Sequence, residues 1–88
     1  MNPVIDEAGS KRWYDDAGEC HREDGPAVEL SDSCKGWFRH GKLHREDGPA
    51  VCFRNGDTAW YLDGNYIPCK DNEEFLRIVK NMALINLL

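Results

Sequence analysis

The octapeptide HREDGPAV occupies residues 21–28 and recurs unchanged at residues 44–51, 23 positions further along a chain of 88 residues. An internal repeat of this length is typical of proteins built from one supersecondary unit that is used several times. The repeat therefore decides the fold, and every other feature of the sequence is placed relative to it.

The period extends beyond the octapeptide. A valine precedes a tryptophan by nine residues three times, and an aromatic residue follows each tryptophan; the pairs are Val4 and Trp13, Val28 and Trp37, Val51 and Trp60. We therefore divide the chain into units of residues 3–26, 27–49 and 50–68. The first unit carries one extra residue near positions 15–18. The third has Ile67 and Pro68 where the other units have histidine and arginine.

Each unit has the composition of a β-hairpin. Short runs of β-forming residues start at Val28 and Val51, turn residues follow, and the tryptophan segment supplies the second strand. Asn55-Gly56 favours a type I′ turn, in which both central residues have positive φ. Gly41 and Gly64 mark a further turn after each aromatic segment. The sequence predicts an antiparallel meander of about six short strands.

The pattern changes after Asp71, where the spacing of apolar residues becomes helical. Asp71 followed three positions later by Glu74 resembles a capping box, and Phe75 and Val79 begin an apolar stripe. We predict a helix over residues 71–87. The predicted fold is a single domain over residues 1–88, mainly β, in which three repeated hairpins are capped by one C-terminal helix. The alternative is that the helix contacts a partner.

The charge distribution limits the kinds of partner. The net charge is −5, and residues 1–33 hold nine acidic and three basic residues. An acidic surface repels nucleic acid and anionic membranes, so we expect neither as a direct ligand. A basic surface on another protein is the expected partner. The candidate contact residues are the acids of the first unit and its border, namely Asp15, Asp16, Glu19, Glu23 and Glu29.

The start of the chain has no basic segment followed by an apolar one, so we expect a cytoplasmic protein with reduced thiols. Structural zinc sites usually contain ligand pairs two to four residues apart. The four cysteines show no such spacing and do not follow the repeat; they are Cys20, Cys34, Cys52 and Cys69. We expect no bound metal and no cofactor.

The repeated motif contains the residue types of a general base. His21 with Asp24, or His44 with Asp47, would suit proton transfer, but catalytic groups are normally needed only once. A structural role explains more of the motif: a half-buried histidine, an Asx-type turn at the aspartate, unusual φ at the glycine, and a proline that enters the next strand. We therefore expect turns and no catalytic residues.

The segment from Trp37 to Ala50 has the pattern Trp-aromatic-x-x-Gly-x-x-His-Arg-x-Asp-Gly-Pro-Ala. This pattern resembles the short repeats of bacteriophage and large-virus proteins, which are similar to variant MORN-type repeats. The resemblance covers residues 3–68. It implies stacked β-hairpins that serve as protein-binding or lipid-binding platforms without catalytic residues. It also implies a viral factor that inhibits a host enzyme or defence complex, as anti-CRISPR proteins do, in the host cytoplasm.

A nucleotide ligand and a homodimer are two alternatives, and they involve other residues of the sequence. A nucleotide could be sequestered if its base stacked on a tryptophan and its phosphates met arginines; the candidate residues are Trp37, Trp60, Arg22 and Arg45. A homodimer would form if the sheet edge at residues 4–6 paired with another copy.

Overall fold

The computed structural model describes residues 2–85, which form nine short strands and one helix. The strands are β1 (Val4–Ile5), β2 (Lys11–Arg12), β3 (Val28–Glu29), β4 (Lys35–Gly36), β5 (Phe38–Arg39), β6 (Lys42–Leu43), β7 (Val51–Cys52), β8 (Thr58–Leu62) and β9 (Asn65–Ile67), and the helix is α1 (Asn72–Leu84).

Seven of the strands form one antiparallel sheet in the order β1-β2-β3-β4-β7-β8-β9, and β5 pairs with β6 in a small second sheet. The predicted fold, a β meander followed by one helix, is confirmed. The number of strands exceeds the predicted six because the second turn of a unit also closes a hairpin, β5 with β6 in the second unit and β8 with β9 in the third. At Trp37 the chain leaves the large sheet: its N–H donates to Ala50 of the next unit, whereas its carbonyl accepts from His44 in the small hairpin.

Each unit begins with a wide turn between two strands of the large sheet. In the third unit, Phe53 N–H donates to the carbonyl of Asp57, and Gly56 N–H donates to the carbonyl of Phe53. Only Gly56, at φ 94°, has positive φ in this turn. The type I′ turn predicted at Asn55-Gly56 is therefore wrong. The loop is a type I turn closed by a residue in the left-handed region, because three residues, 54–56, separate the hydrogen-bonded residues Phe53 and Asp57 instead of two.

The tight two-residue turns lie later in the unit. His40 and Gly41 have φ of 49° and 83°, and Asp63 and Gly64 have φ of 49° and 82°, as a type I′ turn requires. These turns occur at the glycines predicted to mark them. In the first unit Tyr14 bridges Cys20, and the extra residue converts the same turn into a five-residue loop over 15–19.

Helix α1 begins where the sequence predicts. The Asp71 side chain accepts from the N–H of Glu74, as a capping box requires. The Glu74 carboxylate accepts from the N–H of Lys70, the residue before the N-cap, instead of from the N–H of Asp71. The helix ends at Leu84 with Ile85 as its C-cap. Residues 86 and 87 of the predicted helix lie outside the described part. No helix within residues 2–85 is long and apolar enough to cross a bilayer.

The main apolar core lies between α1 and the third unit. Phe75 is fully buried and packs with Trp60 and Leu62, and the Trp60 and Phe75 ring centroids are 6.3 Å apart. The indole N–H of Trp60 donates to the Asn72 side chain at 3.0 Å. The helix therefore caps the last unit, which is one of the two roles predicted for it.

Replacing Phe75 with alanine is expected to lower the free energy of unfolding by about 3–5 kcal/mol, because a fully buried aromatic ring is lost and a cavity remains. Leu76→Ala on the exposed side of the same helix turn is the matched control and should change it by less than about 0.5 kcal/mol. Urea unfolding followed by circular dichroism measures both. Equal effects would show that α1 does not cap the core.

Candidate functional site

The repeated motif forms the junction between successive units. The Nδ1 atom of buried His21 accepts the backbone N–H of His40 at 3.0 Å, and the Nδ1 atom of buried His44 accepts that of Asp63 at 2.9 Å. Each donor belongs to the tight turn of the following unit. Because Nδ1 is an acceptor, each neutral ring carries its hydrogen on Nε2. We call this contact the histidine junction.

Backbone hydrogen bonds flank each histidine junction in the same pattern. In the first junction Gly41 N–H donates to the Cys20 carbonyl at 2.8 Å, and Arg22 N–H donates to Phe38 at 3.3 Å. The second junction repeats both bonds 23 residues later, at 2.8 Å and 3.2 Å. The octapeptide is therefore repeated because the same set of contacts is built twice.

The arginine of each motif folds back over the tryptophan of its own unit. The guanidinium carbon of Arg22 lies 3.9 Å from the centre of the Trp13 ring, and that of Arg45 lies 4.0 Å from Trp37. In the second unit the arginine also donates to Asp47 at 2.8 Å and to the Pro49 carbonyl at 3.2 Å. The first unit has the same distances to Asp24 and Pro26. We call each set an arginine bracket.

The brackets correct two predictions about the motif. Asp24 and Asp47 were expected to cap turns, but their carboxylates accept from the arginine side chains. The glycines were expected to allow unusual φ, yet neither Gly25 nor Gly48 has positive φ. Their missing side chains leave room for the bracket, since a Cβ at Gly48 would lie 2.9 Å from the guanidinium carbon of Arg45 and would have to displace it.

The third unit lacks this motif, and α1 follows it where another unit follows each of the first two. Ile67 replaces the histidine, and within residues 2–85 no later tight turn follows for a histidine to hold. Pro68 replaces the arginine, and Phe75 of α1 packs beside Trp60 in its place. The absence of the charged residues from the last copy therefore marks the end of the array. It does not show that they are dispensable within it.

A side-chain hydrogen bond to an aspartate crosses each junction beside the histidine, and the aspartate belongs to the earlier unit at the first junction and to the later unit at the second. Asp15 accepts from the His40 ring at 2.8 Å, and this bond together with the N–H of Glu19 lowers the pKa of Asp15. At the second junction Arg39 donates to Asp63 at 2.6 Å, and this bond lowers the pKa of Asp63. Of the predicted partner-binding acids, Asp15 is therefore already engaged within the chain.

The other predicted acids differ in accessibility. The side chain of Glu23 is 88% exposed and lies 3.6 Å from the outer nitrogen of His21. Asp16 and Glu19 are exposed in the five-residue loop. Glu29 is half-buried in β3, 3.9 Å from Arg22. The Glu23 side chain is therefore open to a partner, and the motif repeats it as Glu46.

A groove of about 830 Å³ lies between the two copies of the motif. Its walls include Glu23, Asp24, Glu46 and Asp47, with the Trp37 bracket at its floor. The arginines that line it are already paired, since Arg22 and Arg45 bind their own aspartates and Arg39 binds Asp63. We call this surface, formed by residues 21–26 and 44–49, the turn face.

Three potential metal ligands lie close together at the first junction: Asp15, His21 and His40 have ligand atoms within 4.8 Å of one another. The donor set does not suit a metal. The Nδ1 lone pair of His21 holds the His40 N–H, and Nε2 of the neutral ring carries the hydrogen. His21 therefore has no lone pair left, and two remaining ligands are fewer than zinc sites use.

The histidine and aspartate side chains considered for catalysis do not hydrogen-bond to each other. Asp24 and Asp47 hydrogen-bond to arginine, and the outer nitrogen of His44 donates to Glu46 at 2.9 Å.

The residues considered for a nucleotide are also engaged. Trp60 is buried to 8% exposure beneath α1, Trp37 is half-buried under Arg45, and both Arg22 and Arg45 are in brackets. These contacts disfavour stacking of a base on either tryptophan.

All four cysteines are free thiols and half-buried. Burial raises the pKa of Cys34, with the Asp32 carboxylate adding to the effect, and burial also raises the pKa of Cys69. Both shifts favour the unreactive thiol over the thiolate.

Comparison with known proteins gives no relative: no protein-family model, no curated protein and no solved structure matches this chain.

Gly48→Ala is expected to lower the free energy of unfolding by about 1–3 kcal/mol, because the new methyl group would push Arg45 off Trp37. The control is the same substitution in an Arg45→Ala background, where the cost should largely disappear. Urea unfolding of the four proteins in this cycle measures the coupling. Additive effects would mean that the glycine is needed for another reason.

Stability is expected to fall in acid. The folded pKa values of Asp15, Asp24 and Asp63 lie below the ordinary 3.8, so the unfolded chain takes up protons first as the pH drops. Their contribution is therefore complete above pH 3.8 and is lost as the pH falls through the lower folded values. Thermal melts from about pH 7 to about pH 2 measure the loss. Asp15→Asn should flatten the acid limb, and an unchanged limb would contradict the assignment.

Proposed function

We propose that this protein is a non-catalytic binding module whose turn face holds a basic surface of a partner protein. In the biological setting implied by the resemblance to viral repeats, this contact would inhibit a host enzyme or defence complex in the host cytoplasm. One observation carries the proposal: the arginines of the turn face are bound internally, whereas the Glu23 carboxylate projects almost fully into solvent.

Because its arginines pair with aspartates of the same chain, the turn face presents negative charge to a partner. A free arginine beside an exposed carboxylate would form a surface ion pair and reduce the field felt by a partner. Here the arginine is stacked on a tryptophan and held by its own aspartate, so it cannot reach Glu23 without losing those contacts. Glu23 therefore remains available to a cationic group. Glu46 is 50% exposed, accepts from the outer nitrogen of His44 at 2.9 Å and lies 3.5 Å from Arg39.

The spacing of the acidic groups favours a protein ligand. Successive units are offset by two strands, which places equivalent residues about 10 Å apart across the sheet. Lysine or arginine side chains three residues apart on an extended segment are separated by a similar distance. A basic extended segment could therefore meet Glu23 and Glu46 together along the groove.

The contacts are also rigid. Each motif is fixed by a histidine junction on one side and an arginine bracket on the other, so the side chains of the turn face are held on a defined backbone. A preorganised surface loses less conformational entropy when a partner binds. This supports recognition of a specific partner over loose attraction to any cation.

Reversing the charge of Glu23 tests the proposal. Wild-type protein immobilised as bait should capture a stoichiometric host partner from lysate, and Glu23→Lys should weaken that capture at least about fivefold. Glu7→Lys is the matched control, because Glu7 is exposed in the wide turn of the first unit and its reversal changes the net charge from −5 to −3 in the same way.

Retention of the partner by the Glu7 variant and its loss from the Glu23 variant would support the turn face. Equal loss from both would show that only overall charge matters, and no stoichiometric partner for the wild type would contradict the proposal.

A further inference from the structure

The large sheet ends at β1, whose outer edge pairs with no strand within residues 2–85. The repeat makes β1 equivalent to β3 and β7, since Val4, Val28 and Val51 hold the same position. Both equivalents are covered on that edge by the second strand of the preceding unit: β2 covers β3, and β4 covers β7. No earlier strand within residues 2–85 covers β1, and Val4 and Ile5 stay 60% and 58% exposed.

The complementary edge lies at the other end of the same sheet. The start of β8, Thr58 and Ala59, is equivalent to β4, whose outer edge receives the next unit. Strand β9 pairs only with residues 60–62, so within the described residues Thr58 and Ala59 are paired with β7 alone. A groove of about 700 Å³ lined by Thr58, Trp60 and Cys69 runs beside this edge. The chain thus carries both backbone edges of one more strand pair, although Ile67 and Pro68 replace the histidine and arginine of the internal junctions.

We propose that copies of this chain associate head to tail, with β1 of one copy added to the Thr58–Ala59 edge of the next. The two internal junctions define the register. Val28 faces Arg12 and Glu29 faces Lys11, and Val51 faces Gly36 in the same way. By equivalence Val4 of one copy faces Ala59 of the next, and Ile5 faces Thr58. All four residues are uncharged, and three of them, Val4, Ile5 and Thr58, are β-branched residues suited to a strand pair.

The hydrogen-bonding groups point the right way for this pairing. Asp6 N–H donates to Ser10 inside its own hairpin, and successive N–H groups of a strand alternate in direction, so the N–H of Ile5 points outwards. The carbonyl of Asp57 accepts from Phe53 inside the third-unit hairpin, so the N–H of Thr58 points outwards as well. Ile5 and Thr58 can therefore exchange two backbone hydrogen bonds.

A second copy of the chain fits these edges, because each chain contains both edges and already forms the equivalent strand pair twice, between β2 and β3 and between β4 and β7. The edges differ from one another, so the contact does not close on itself and each added copy presents a new free edge. The assembly is independent of the turn face, and it differs from a symmetric dimer in which two β1 edges meet.

Two proline variants separate these arrangements. Ile5→Pro removes the outward N–H of the head, and Thr58→Pro removes that of the tail, each without removing a hydrogen bond inside its own hairpin. Ile5→Val keeps the N–H and is the matched control. Sedimentation equilibrium over a wide concentration range measures the mass against the 10.1 kDa monomer, and circular dichroism melts confirm that each variant is folded.

The wild type and Ile5→Val should show a mass that rises with concentration past that of a dimer. Each proline variant alone should remain a monomer, and an equimolar mixture of the two should form a dimer, since one supplies an intact head and the other an intact tail. A wild type that is monomeric at every concentration would overturn the proposal. So would association of Thr58→Pro with itself, which indicates paired β1 edges.

Discussion

The fold depends on a hydrogen bond in which a backbone N–H is accepted by the unprotonated Nδ1 of a buried histidine. His21 and His44 each receive the tight turn of the next unit in this way. Strands of two residues offer too few ladder bonds to hold successive hairpins in register, so side chains must supply the constraint. The imidazole does so from a buried position, where an unpaired backbone N–H would cost about 1–3 kcal/mol.

The position of the charges follows from this constraint. The histidine directs the next residues of the chain back over the tryptophan, where the arginine stacks and binds its own aspartate. Within the bracket the aspartate neutralises the charge of the arginine, and the neighbouring Glu23 side chain stays exposed to solvent. Structure and proposed function are thus connected: the contacts that build the array also leave its turn face acidic. In the last unit Phe75 covers the tryptophan instead, and the array stops.

The sequence predicted the fold because its strongest signals are local. The repeat, the glycines of the tight turns, the extra residue of the first unit and the cap at Asp71 all act through nearby backbone. The predictions that failed concern which groups contact one another in the folded chain. Asn55-Gly56 was assigned the wrong turn type because loop length, which depends on where the strands stop, overrode the dipeptide preference.

The candidate site was harder to predict for the same reason. The motif was predicted to form turns between successive hairpins, and the structure places it there but builds it on the arginine bracket; the bond from the His40 N–H to His21 spans 19 residues and leaves no mark on the spacing. One usable signal was present: an arginine follows the tryptophan by nine residues in the first unit and by eight in the second, and a glycine three residues later gives it room. The measurement that tests the histidine junction most directly is NMR detection of nitrogen–nitrogen scalar coupling across the hydrogen bond in ¹⁵N-labelled protein. Coupling from the Asp63 amide to Nδ1 of His44, and from the His40 amide to Nδ1 of His21, is the predicted result. Rings protonated on Nδ1, with no coupling to either amide, would contradict it.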